Sequence, residues 1–224
     1  MSLDLLLFAA IAAFLVFRLR SILGRKMGND RSPFGSSEQS EEKSQANEEK
    51  INEQNVVAIS DRQSADPFID QSEGELGENL RKIREADSSF NSSTFVEGGQ
   101  AAFEAIITSY ANGDSESLRP LLSDEVYDKF SGAISERADK GQKIEMTLVG
   151  IQSSEIIEAS MDGSVAFITN KFVTEQIEVT KDSAGEVIDG DPVRVMTVTD
   201  IWTFARNTRS RNPNWTLVAT EATN

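Results

Sequence analysis

Asp200-Ile201-Trp202-Thr203-Phe204-Ala205-Arg206 closes a long run of strand-forming residues that starts at Val193. A turn carrying Arg209, Arg211 and Pro213 follows, and Trp215 to Thr220 then comes back. Two segments rich in β-branched and aromatic residues around a Pro- and Asn-containing connection predict two antiparallel strands. Alternation puts Val198, Trp202 and Phe204 on one face of the first strand, and Val193, Val195 and Ile201 on the other. Apolar residues on both faces predict a central strand with cover on both sides. That cover has to come from upstream.

Upstream, the apolar period is helical. Leu76, Leu80, Ile83 and Phe90 fall close to one face, with Arg81, Lys82 and Arg84 beside them. This reads as a leading helix packed on the domain, or as a helix lying on a membrane surface. The neighbouring Glu73, Glu75, Glu78 and Glu85 favour packing. Phe95, Ala102, Phe103, Ile106, Ile107 and Tyr110 predict a second helix, stopped by Asn112-Gly113-Asp114. Leu118 to Leu122 forms a short helical turn containing Pro120. Ser123 or Asp124 then caps a helix whose buried stripe is Val126, Tyr127, Phe130, Ala133 and Ile134, ended by Gly141.

From Lys143 the period changes to two, through Ile144, Met146 and Leu148. Asp162-Gly163 offers a hairpin turn into Val165 to Thr180. The apolar phase of that run shifts near Asn170 to Phe172, which predicts a bulge or bend there. Asp182 to Asp191 is expected to be a polar loop. Helices followed by a meander of strands make an α+β domain, with the helices packed on one face of an antiparallel sheet.

The N-terminal third has a different character. Leu5 to Phe17, including Phe8 and Phe14, is an apolar run followed by Arg18, Arg20, Arg25 and Lys26. It covers about 20 Å as a helix, short of the roughly 30 Å of a bilayer core. Extended over residues 1–23, with Arg18 and Arg20 snorkelling, it is long enough. Asp4 before the run and basic residues after it invert the charge order of a cleaved signal peptide. An uncleaved anchor with the later residues in the cytoplasm is expected. Residues 24–75 are dominated by Ser, Glu, Gln, Asn and Asp, a composition that predicts a disordered acidic linker. Val56-Val57-Ala58-Ile59 interrupts it as an apolar island, either a docking peptide or incidental. The expected division is an anchor at 1–23, a linker at 24–75 and a domain at 76–224.

Composition narrows the chemistry. The 224 residues carry net charge −15 and contain neither Cys nor His. Disulfides and thiolate metal sites are excluded, and most triads and zinc sites lose their usual ligand or base. Acidity argues against a nucleic-acid partner. No metal, cofactor or catalytic set is expected.

Several stretches together carry a family resemblance. They are Phe95 to Gly141, with Gly113-Asp114 ahead of Leu118-Arg119-Pro120-Leu121-Leu122, then Trp202-Thr203-Phe204-Ala205-Arg206 and Asn212-Pro213-Asn214-Trp215. In this order they closely resemble the C-terminal domain of the Tim-forty-four family, and the layout resembles that of its bacterial, membrane-anchored members. The mitochondrial member tethers an import chaperone to the inner-membrane translocase. The resemblance implies a cone-shaped domain related to the nuclear-transport-factor-two fold, with an apolar pocket and a peripheral contact with inner-membrane lipid (cardiolipin in mitochondria). It implies a bacterial inner-membrane location and inner-membrane or chaperone protein partners. The chain departs from the mitochondrial pattern at its N-terminus, where a span and an acidic linker replace the chaperone-binding region.

Relatives of that fold include isomerases with a buried carboxylate base, which makes Asp200 a candidate among Val198, Trp202 and Phe204. Tyr110 or Tyr127 would have to supply the oxyanion partner, and nothing in the spacing brings either near it. The structural alternative is a carboxylate paired with Arg206 or Arg194, or bonded to backbone. Trp202 and Phe204 are pocket candidates or core. Arg206, Arg209 and Arg211, with Arg81, Lys82 and Arg84, are candidates for phospholipid headgroup contact, or solvated charge. Three functional readings follow: a non-enzymatic adaptor, a small-molecule or lipid binder, and a self-associating structural domain.

Overall fold

The computed structural model describes residues 66–223. The expected anchor and nearly all of the expected linker, Val56–Ile59 included, lie outside the described residues. The chain is folded by Asp66, ten positions before the expected boundary. Asp66 caps helix α1 (Pro67–Gln71), accepting from the Ile69 amide at 3.3 Å, and Pro67 starts the helix where a missing N–H costs nothing. The same carboxylate accepts from the Ser92 amide and hydroxyl, both at 2.6 Å, and Ile69 is fully buried. Residues 66–75 therefore belong to the domain rather than to the linker. Their polar look misled because Asp66, a buried acid, is satisfied by contacts 26 positions away.

Helix α2 (Gly74–Ala86) lies against α1, burying Gly77, Leu80 and Ile83. A Cβ at Gly77 would overlap the Ser72 carbonyl, so only glycine permits that approach. Phe90 is buried as expected, but in the connection beyond the helix. Asp87 ends α2 and accepts from the amide and hydroxyl of Ser89, forming a local turn.

Helix α3 (Ser92–Asn112) starts at the Asn91 side chain, which accepts from Thr94, and ends at Gly113 in the left-handed conformation, φ 73°. Its buried stripe is Phe95, Gly99, Phe103, Ile106 and Tyr110. A short helix α4 (Ser115–Leu118) and the Pro120 turn lead to α5 (Asp124–Asp139), capped by Ser123. From α5, Arg137 reaches back to donate to the Tyr110 carbonyl at 2.6 Å and the Ala111 carbonyl at 3.3 Å. Those carbonyls belong to the last turn of α3, where the i+4 donors run out and Tyr110 also accepts from the Gly113 amide at 3.2 Å.

The sheet is antiparallel, in the order β1 (Lys143–Asp162), β2 (Val165–Lys181), β4 (Met196–Asn207), β5 (Thr216–Thr223). The β1–β2 hairpin closes through Gly163, φ 56°, with Asp162 opposite Val165. Strand β2 keeps an unbroken alternation through Ala166, Ile168, Asn170, Phe172, Thr174 and Gln176. The irregularities fall opposite it in β1, between Leu148 and Gly150, Ile151 and Ser153, and Ile156 and Glu158. The apparent phase shift came from Asn170, a buried polar residue in an apolar row, whose Nδ2 donates to Ser154 Oγ at 2.9 Å.

The expected loop from Asp182 to Asp191 contains strand β3 (Val187–Gly190), paired with the far end of β2. Asp182 turns the chain by accepting from the amides of Ala184 and Glu186, both at 2.9 Å. Strand β4 is central as expected but begins at Met196, since Pro192 lacks an N–H for pairing and Val193 is 83% exposed. Cover on both sides is also corrected. Trp202 and Phe204 pack under the helices, whereas Ile201, Thr203 and Ala205 on the other face are only half-buried. The centre of the core is Phe103 against Phe172 and Trp202, with ring centroids 4.6 Å apart in each pair.

Asp66→Ala should cost about 2 kcal/mol in urea unfolding, because it strips a buried amide and hydroxyl of their acceptor. Burial is the largest influence on the Asp66 carboxyl and opposes its charge, but the hydrogen bonds from Ser92 and Ile69 outweigh it and lower the pKa. The contribution is thus present above the unfolded pKa and lost as pH falls through the folded one. The stability gap between wild type and variant should therefore narrow as pH falls through the lowered folded-state pKa, measured by urea unfolding across the acid range.

Candidate functional site

Along α3, Gly98, Ala101, Ala102 and Ala105 recur at helical spacing and leave a shallow face beside the buried stripe. That face forms one side of an apolar groove of about 570 Å³. Phe90, Phe95 and Phe204 line it with Trp215, and Pro120, Leu121 and Pro213 complete the walls. Trp215 meets Phe95 edge-on at 5.0 Å and Phe90 at 6.0 Å, so the aromatic wall is one packed unit.

Arg206 is the charged side chain among the lining residues. Its Nη2 is ion-paired with Asp87, Nη1 donates to the Pro213 carbonyl at 3.3 Å, and the guanidinium lies 5.0 Å from the Trp215 ring centroid. The Arg206 and Asp87 side chains are 10% and 14% exposed, and burial lowers the Arg206 pKa. The groove therefore offers a neutralised ion pair and mainly apolar surface, with Ser89, Asn91, Thr94 and Asn214 as its polar uncharged lining.

Of the five residues expected at a pocket, only Phe204 lines the groove. Trp202 is buried in the core between Phe103 and Phe172. Tyr110 packs on Phe130 and under Arg137, while Tyr127 lies under Arg119. Asp200 is half-buried on the helix-facing side of β4, six positions from Arg206, which is about 20 Å along a strand. It cannot pair with Arg206, and among the described residues no ion pair reaches it.

The six expected lipid-facing basic residues separate likewise. Arg81 donates to the Ile69 and Ser72 carbonyls, each at 3.3 Å, and Arg84 pairs with Asp70 at 3.0 Å, so both strap α1 to α2. Arg206 is interior. Lys82, Arg209 and Arg211 are exposed. The small-residue face was missed in the sequence although its spacing was visible there, because an apolar stripe of Gly and Ala has no hydrophobic contrast to draw attention. Asp87 left no such signal, since its partner lies 119 positions away.

Burial pushes the Asp200 carboxyl up to about 6, countered by the Trp202 indole and reinforced by the charge of Glu178. A folded-state pKa above the unfolded one means that ionisation penalises the fold, partly between about pH 4 and 6 and fully above. Asp200→Asn should therefore stabilise the protein by up to about 3 kcal/mol near pH 7.5 and by little near pH 4, measured by denaturation at both pH values. Asp87→Ala should cost about 3 kcal/mol, because it leaves the Arg206 guanidinium buried without its partner. Tryptophan emission should shift to the red as Trp215 loosens.

Residues 76–222 match the model of the Tim44-like domain. The translocase subunit TIM44-1 of Arabidopsis thaliana, a mitochondrial import inner-membrane protein, is 26% identical over 122 residues, covering 54% of this chain and 26% of that protein. The TIM44 subunit of Rattus norvegicus is 23% identical over 145 residues, covering 63% and 32%. The chain thus spans about a third or less of the length of these relatives. Among solved structures, the intermembrane-space region of the chloroplast protein ARC6 aligns with a TM-score of 0.41 at 14% identity, covering 57% of this chain and 95% of that one. A ketosteroid isomerase-like protein from Erwinia carotovora aligns with a TM-score of 0.32 at 14% identity, covering 60% and 99%. On the match over residues 76–222, the chain belongs to the Tim44-like domain family.

Proposed function

We propose that this protein is a non-enzymatic adaptor held at a bacterial inner membrane, which uses the α3 groove to engage apolar surface on protein partners. The observation that carries the reading is the groove itself: small and aromatic side chains around one internally neutralised ion pair. Such a surface rewards burial of an apolar ligand, and its hydroxyl residues, Ser89 and Thr94, have no histidine to activate them because the chain contains none. Relatives that are import inner-membrane translocase subunits support partners among inner-membrane transport proteins, with chaperones a narrower option. The apolar run at 5–17 and the basic residues behind it support a single N-terminal span with the domain on the cytoplasmic side. A coil of about forty residues between span and domain gives roughly 35 Å of reach, which raises the effective concentration of a captured partner near the bilayer. In-cell cross-linking of the full chain should recover a defined set of membrane-associated proteins. Deleting residues 1–26 should abolish most of that set, and an unchanged set would defeat the proposal.

A second reading places an acyl chain of a phospholipid in the groove, with Arg209 and Arg211 on the adjoining turn meeting the headgroup. The volume and the apolar lining favour it. It extends to cardiolipin if anionic headgroups matter. Arg209→Glu with Arg211→Glu should then weaken co-sedimentation of the full chain with cardiolipin vesicles several-fold, at about 1 kcal/mol per basic residue. Co-sedimentation unchanged by the charge reversal would rule this contact out.

A further inference from the structure

We propose that the groove is occupied in cis by Val56-Val57-Ala58-Ile59, the apolar island of the chain's own acidic segment, which a partner must displace. The inference rests on the reading of the groove as a docking surface and adds its resident occupant. Four observations carry it.

The first is where the chain enters the described structure. Asp66 is bonded to the amide and hydroxyl of Ser92, and Ser92 sits between the groove-lining residues Asn91 and Thr94. The second is reach. Ile59 precedes Asp66 by seven positions and Val56 by ten, or about 23 and 33 Å of extended chain. The α3 lining from Asn91 to Ala105 extends about 21 Å, so the island can lie along it.

The third is fit. A groove of about 570 Å³ is within the range that encloses small ligands, roughly 300–1,000 Å³. Its shallow Gly98, Ala101, Ala102 and Ala105 face suits short branched side chains. A Cβ at Gly98 would meet nothing within 4 Å, which leaves room for the side chain of an occupant. The fourth is charge. The island is flanked by Glu48, Glu49, Glu53 and Asp61, which outnumber Lys50 and Arg62. The groove adjoins the turn that exposes Arg209 and Arg211. Both flanks and rim are solvated, so attraction adds orientation more than affinity.

Tethering supplies the rest. A weak apolar contact held on a linker of a few residues is saturated at the millimolar effective concentrations typical of short tethers. The site is then masked without being blocked, since a partner burying more apolar surface displaces it. Occupation by about nine-tenths reduces the apparent affinity of that partner by about tenfold.

The chain has no cysteine, so introduced thiols report alone. The full-length protein in lipid nanodiscs carries Ile59→Cys with Gly98→Cys, compared with Ile59→Cys paired with Glu97→Cys, which lies one residue round the helix and outside the lining. Mild oxidation should close the first pair at least about tenfold faster within one chain, as a nine-tenths-occupied groove predicts. Equal rates would overturn the proposal. Independently, the Gly98→Cys thiol should react with a maleimide about tenfold faster once Val57→Asp and Ile59→Asp are added. Rates unaffected by those two substitutions, whether fast or slow, overturn the proposal but leave the groove available to a partner. Failure of the adaptor reading would instead appear as the loss of partner capture in cells, whatever the thiol rates.

Discussion

The Arg206–Asp87 ion pair, stacked against Trp215, is the contact on which the groove depends. It joins the end of β4 to the connection between α2 and α3, and the tryptophan brings the start of β5 to the same point. Both ions have left water, so their attraction mainly offsets the cost of removing them. What the pair contributes is position. Asp87 is also held by Ser89, and the Pro213 carbonyl takes a second guanidinium nitrogen, so the turn after β4 is held against the helices. An apolar pair of similar size would pack as well but would leave the Pro213 carbonyl without a donor.

That point of attachment lets α3 serve two surfaces at once. One face drives Phe95, Phe103 and Ile106 into the sheet, where Phe103 meets Phe172 and Trp202. The next face over is Gly and Ala, and it borders the groove because α5 packs at the far end of the helix, around Tyr110, Phe130 and Arg137. A bulky residue at position 98 would fill the groove without touching the core, whereas Ala102 also packs against it. The groove face at Gly98 is therefore separate from the stripe that carries stability.

Local rules governed what could be read in advance. The α+β class, the helix stops at Gly113 and Gly141, the cap at Ser123 and the turn at Gly163 all rest on residues whose conformational preference is decided within a few positions. The misreadings share the opposite property. Asn170 broke an apolar row because its partner, Ser154, is in another strand, and that made a straight strand look bulged. Asp66 was assigned to a linker because Ser92, which satisfies it, is 26 positions on. Arg206 was grouped with Arg209 and Arg211 by sequence proximity, but strand alternation turns it inward while its neighbours stay on the turn. In each case a polar residue looked solvated because the partner that buries it is distant in sequence.

The position of Asp200 sets it apart from the groove. Its neighbours on the helix-facing side are Trp202 and, across the sheet, Thr174, with Phe172 directly opposite in β2. Asn170 Oδ1 and Thr220 Oγ1 flank Trp202 in one cross-strand row, buried and without hydrogen-bond partners. A carboxyl beside such a row has polar company and an elevated pKa, the ingredients of a general base. It lies outside the groove, which Phe204 and Arg206 line further along β4. A base about 13 Å along the strand from the nearest groove residue, Phe204, is beyond hydrogen-bond reach of a ligand held there. The strand thus keeps its unpaired buried polar groups, around Trp202, apart from the side chains it gives to the groove, Phe204 and Arg206.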